Sequence, residues 1–168
     1  MEIGLAGANI EDWSPNGLLD ETLAVERIVA AREVIDAAGV PFVLTARTDG
    51  ALLPTPSPLS TIVERANRLF AAGADCLFTP GIAALDDIAV EVAELAGPLN
   101  VVLGLAGTLT VPALLEVGVQ RISLGGTFAR AALGFIRSGA RELFEHGTIG
   151  FAAEQIPQAE LDELFTRR

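Results

Sequence analysis

Glu11 and Asp12 stand together at the end of an apolar run, and Arg47, Thr48 and Asp49 stand together at the end of another. Paired carboxylates at a strand tip suit a hard divalent cation such as Mg²⁺, which takes oxygen ligands and keeps waters. They suit a helix cap or a solvated acidic pair equally well. Adjacent strand residues point to opposite faces, so only one of the two can face the interior of a barrel. Arg47 is costly at the mouth of a parallel sheet unless it meets an anion. Its planar fork fits a carboxylate or a phosphate. The bland alternative is an internal ion pair with Asp49 or Glu11. Gly125-Gly126-Thr127 presents backbone N–H groups that could cradle a phosphate, or simply makes a tight turn. Trp13, Pro15 and Asn16-Gly17 form either a lid over the site or a surface loop. His146 reads as a cation at a helix C-terminus and Cys76 as an apolar core residue.

Composition excludes other chemistries. The 168 residues (17.5 kDa) carry 11 basic and 22 acidic groups, a net charge of −11, with one His, one Cys and no Tyr. Such a field repels phosphate backbones and anionic membranes, so neither nucleic acid nor membrane is an expected partner. All 11 basic residues are Arg. The absence of Lys removes Schiff-base chemistry and the P-loop lysine. Zinc sites built from several Cys or His cannot form with one of each, and one unpaired Cys gives no disulfide framework. The N-terminal stretch lacks a positive n-region, so a cytoplasmic location is expected.

The elements that must position these residues repeat. An apolar–Gly–apolar signal precedes β-prone runs at Ile3-Gly4-Leu5, Ala38-Gly39-Val40, Ala72-Gly73-Ala74 and Val117-Gly118-Val119, with a variant at Ala96-Gly97-Pro98-Leu99. Gly just past a helix is its usual left-handed stop. The runs at 5–10, 41–46, 75–79, 99–103 and 121–124 are short and continuously apolar, as in parallel strands buried on both faces. Helical stripes lie between them. One starts at a cap on Asp20, one at Ser57-Pro58, and one carries Leu85, Ile88, Val92 and Leu95. Another is capped by Thr110. A long helix over 127–145 is expected to turn Phe128, Ala131, Phe135, Leu143 and Phe144 inward, and an amphipathic helix over 157–166 follows.

Alternating β and α implies a parallel sheet. Polar residues close each strand, as at the working end of a (β/α)₈ barrel, and no Gly-rich dinucleotide turn follows the first strand. Eight βα units take about 250 residues, so the chain is expected to be a single α/β domain over 1–168. It would form a partial TIM-type barrel of about five βα units plus a C-terminal helix. Met1-Glu2-Ile3-Gly4 reads as a helix end, which suggests three further units upstream.

The strings GANIEDW, VPFVLTARTDG, AGADCLFTPG, GPLNVVLG and VGVQRISLGGTFARAALG, taken in order, resemble the isocitrate lyase/phosphoenolpyruvate mutase superfamily, nearest its short phosphonomutase-like branch. The resemblance covers nearly the whole chain. It implies a (β/α)₈ barrel, Mg²⁺, and a lyase or mutase that passes through an enolate-type species of a small 2-oxo or α-hydroxy carboxylate. Glu11 matches that family's metal-shell glutamate, with Asp12 beside it. Arg47 matches its substrate-anchoring arginine, with Asp49 beside it. The resemblance also implies a homo-oligomer with exchanged terminal helices. The chain departs from the family in lacking the upstream metal-binding aspartates and the lysine-cysteine-glycine-histidine segment of the lyases. Asn16 could stand for the mutases' gating-loop asparagine, but no lysine accompanies it. A non-catalytic partial barrel acting as an oligomeric module is the rival expectation.

Overall fold

A computed structural model describes residues 4–104 and 108–166. The expected helix end at residues 1–3 and most of the loop expected over 104–108 lie outside the described residues. The chain divides into two compact units, Met1–Gly125 and Gly126–Arg168.

In the first unit the five expected strands form. They are β1 (Gly7–Glu11), β4 (Val43–Arg47), β5 (Cys76–Phe78), β6 (Leu99–Val102) and β7 (Arg121–Ser123). All pair in parallel, in the order β1-β4-β5-β6-β7. Spatial order follows chain order without reversal, the arrangement of a barrel wall rather than of a doubly wound sheet. Between the strands lie α1 (Glu21–Ala38), α2 (Leu59–Ala71), α3 (Leu85–Glu94) and α4 (Val111–Glu116). Asp20 caps α1 by accepting the Thr22 N–H at 2.9 Å, and Gly39 stops it in the left-handed region at φ 62°. Thr110 caps α4 by accepting from the Ala113 N–H at 3.3 Å. At α2 the cap position is Pro58, and no side chain caps the helix.

The pleat sorts the side chains. Leu44 and Ala46 of β4, Leu77 of β5, and Leu99 and Val101 of β6 are buried with Ala24, Ile28 and Ile35 of α1, Val63, Ala66 and Leu69 of α2, Ile88 of α3 and Leu114 of α4. The alternate positions, Val43, Thr45, Arg47, Phe78, Asn100 and Val102, line the opposite, concave face. The stretch after β1 is a small hairpin, β2 (Trp13–Ser14) paired with β3 (Gly17–Leu18), turning at Pro15-Asn16. Ser14 Oγ donates to Gly17 O at 2.9 Å across that turn.

The second unit holds α5 (Thr127–His146), a 3₁₀ turn over Gly150–Glu154 and α6 (Gln158–Thr166). Gly147 stops α5 at φ 66°, directly after His146. The Glu142 carboxylate accepts from Thr148 Oγ1, the Gly150 N–H and the Phe151 N–H, and these bonds hold its pKa below the usual carboxylate range. Phe151 meets Phe135 edge to face at 6.2 Å. The face of α5 expected to turn inward is exposed instead. Phe128, Phe135, Leu143 and Phe144 are all exposed, Phe144 at 93%. Helical periodicity makes an apolar stripe, but it does not supply what covers that stripe.

Candidate active site

A cavity of about 720 Å³ opens on the concave face of the sheet, lined by side chains from all five strands. Arg47 closes β4 at its rim. Its Nε donates to Asp49 Oδ1 at 2.7 Å and its Nη2 to Asp49 Oδ2 at 3.1 Å, a bidentate fork. Nη1 lies 3.3 Å from Glu11 Oε2, and the guanidinium sits 5.5 Å above the centre of the Phe78 ring. Register explains the grouping, because Glu11 pairs with Arg47 and Arg47 with Phe78 across the sheet. The bonds to Asp49 raise the Arg47 pKa further above its ordinary value, against the effect of burial, with Glu11 and Asp12 contributing. Both ion pairs weighed for Arg47 therefore exist together. The side chain keeps 26% of its surface exposed and lines the cavity. A guanidinium has five N–H donors, so the pairs leave donors free for an incoming anion.

Glu11 and Asp12 do not converge. Glu11 is on the Arg47 side and is 43% exposed. Asp12 is 2% exposed, with Oδ1 accepting from the Asp49 N–H at 3.0 Å and Oδ2 from Arg65 Nε at 2.6 Å. Its own N–H donates to Arg47 O at 3.1 Å, and Arg65 also holds Leu19 O at 2.8 Å. Asp12 thus locks the β1 and β4 ends and the start of α1 onto α2. Among the described residues, no group of three or more His, Cys, Asp or Glu is placed to hold a metal ion.

Residues without a sequence signal complete the cavity. Asn100 Nδ2 donates to Ser123 Oγ at 3.1 Å, and Arg121 Nη1 donates to Thr45 Oγ1 at 2.8 Å. Inward register on neighbouring strands was the clue available for them. Cys76 is free and buried, and burial pushes its thiol pKa up. Gly125 lines the cavity, whereas Gly126 and Thr127 begin the second unit.

A family model described as phosphoenolpyruvate phosphomutase matches residues 1–144. The chain belongs to the phosphoenolpyruvate mutase family. It is 31% identical over 158 residues to an uncharacterised protein of Mycobacterium tuberculosis, covering 94% of this chain and 56% of that one. A Burkholderia cenocepacia structure described as a lyase/mutase aligns with a TM-score of 0.93 and 36% identity, over 98% of this chain and 60% of the other. The structure of 2,3-dimethylmalate lyase, a phosphoenolpyruvate mutase/isocitrate lyase superfamily member, aligns with a TM-score of 0.80 and 27% identity, over 98% of this chain and 61% of the other. The fold is thus the TIM-barrel type of this superfamily. The chain spans a little over half the length of such relatives. Among the described residues no helix is long and apolar enough to cross a membrane.

Proposed function

We propose that this chain carries the substrate-anchoring part of a lyase or mutase acting on a small 2-oxo or α-hydroxy carboxylate. The observation that carries the reading is Arg47 at the cavity rim, held rigid by Asp49 and the Phe78 ring while donors remain free. A pre-oriented guanidinium binds a carboxylate without losing side-chain freedom at that moment. It offsets the charge that builds when a bond next to a carbonyl breaks and leaves an enolate-type electron pair. Asp49 positions Arg47 and shares its charge, and Glu11 sets the acidic limit of the site.

Mg²⁺ is the expected cofactor of this chemistry. Among the described residues Glu11 is the carboxylate at the rim with room to contribute, because Asp12 is engaged by Arg65 and Asp49 by Arg47. Mg²⁺ keeps several waters and takes one or two carboxylates, so Glu11 would supply one ligand to it, and among the described residues no group of three or more His, Cys, Asp or Glu stands with it.

Turnover of 2,3-dimethylmalate and related 2-hydroxy carboxylates by this chain, with and without Mg²⁺, tests the reading. Arg47→Ala is expected to lower kcat/KM by about a hundredfold or more. An unchanged kcat/KM overturns the assignment. A second reading, a non-catalytic oligomeric module, is favoured by the exposed apolar residues of α5. It predicts no turnover by the wild-type chain under either condition.

A further inference from the structure

Two arginines line the cavity, and only one is neutralised. Arg47 is paired with two carboxylates. Arg121 donates to the neutral Thr45 hydroxyl, and among the described residues no ion pair holds it. Its register partner across the sheet is Asn100, 5% exposed, whose Nδ2 is used on Ser123 while its Oδ1 is buried with no hydrogen-bond partner. A buried amide oxygen without a donor and a guanidinium without an acid are complementary deficits. They lie on one wall of the same cavity, beside the apolar surfaces of Val43, Val102 and Phe78. Asn100 pairs with Phe78 and Phe78 with Arg47, so Asn100 and Arg121 share the register row of Arg47, two and three strands along the sheet, and Asn100 stands about 10 Å from Arg47 at about 4.8 Å per strand.

We propose that the cavity contains a second carboxylate subsite, in which Arg121 donates to a carboxylate and Asn100 Oδ1 accepts from a hydroxyl on the neighbouring carbon. The unpartnered amide oxygen selects the ligand class. It rejects a group that offers acceptors only and takes one that brings an O–H. A short hydroxy acid satisfies both deficits, and the apolar walls accommodate its carbon chain. The subsite extends the proposed function by anchoring the end of the substrate away from Arg47. It rests on that reading only for the chemistry at the near end.

L-malate added to the metal-free chain, followed by ¹⁵N NMR, tests the subsite. Saturable shifts are expected at the Arg121 Nε–H and the Asn100 side-chain amide. Succinate, which lacks the hydroxyl, is expected to bind about tenfold more weakly, and Arg121→Gln to weaken malate by at least about tenfold. Unmoved Arg121 and Asn100 signals in the wild-type chain overturn the proposal without any variant, so a misfolded Arg121→Gln leaves it decidable. Wild-type affinity in a folded Arg121→Gln overturns it too. So does a chain that ignores malate but changes its sedimentation on Arg121→Gln, since an acidic side chain from another copy would then occupy the site. Turnover lost in Arg47→Ala while malate still shifts Arg121 separates this subsite from the proposed function, and either can fail alone.

Discussion

Asp12 and Glu11 are neighbours in sequence with opposite fates, and burial decides which is which. Asp12 loses nearly all contact with water, so its charge requires Arg65 and the Asp49 N–H. Removing one partner of a buried pair strands the other, which costs about 3–5 kcal/mol. Arg65→Met should lower stability by that order in urea denaturation; a change within error would show that Asp12 is solvated. Glu91 presents the opposite case. It is 1% exposed on α3 with Oε1 unpartnered, and burial, against the Thr79 hydrogen bond and reinforced by Asp87, raises its pKa to about 7. The unfolded carboxyl ionises near its ordinary value while the folded one stays protonated. Stability therefore falls as pH rises from the ordinary carboxylate range to about 7. Glu91→Gln should flatten that slope and gain roughly 1–3 kcal/mol above neutral pH. Melting curves across pH that match the wild type would remove Glu91 as the cause.

At the scale of the element, β1 depends on how closely it approaches β4. A Cβ added at Gly7 would stand 2.6 Å from Val43 O, a backbone atom that cannot rotate away. Gly7→Ala should then push β1 off the edge of the sheet at a cost of about 1–3 kcal/mol, with increased amide exchange at Val43, whose N–H bonds Ala6 O at 2.9 Å. Exchange unchanged across Ala6–Leu44 would show that the strands can separate without loss. The consequence reaches the site, since Glu11 is held to Arg47 by the same pairing.

At the scale of the whole molecule, the three most exposed large apolar side chains among the described residues lie in the second unit. Phe128, Ile136, Phe144 and Phe165 are 75%, 62%, 93% and 83% exposed. Surface of that kind drives association. The chain should sediment well above 17.5 kDa, and Phe144→Asp should shift it toward the monomer. A wild-type monomer at high concentration would remove self-association from the account.

Local periodicity and capping chemistry specify the five strands, the helices between them, the caps on Asp20 and Thr110, and the place of Arg47 at a strand tip. Strand ends moved by one or two residues, as with β1, expected over 5–10 and found at Gly7–Glu11. Period two along a strand also sorted Glu11 from Asp12, but only as alternatives. Which of them met solvent, and that Arg65 from a helix 53 residues away would hold Asp12, was decided by tertiary packing. The Arg47–Asp49 fork was visible as a spacing. The meeting of Arg121 with Thr45 and the unfilled Asn100 oxygen were not, because they join residues 76 positions apart or record a partner that is absent. The apolar stripe of α5 shows the same limit, since a stripe states that a face needs cover and only the three-dimensional structure shows whether it has any.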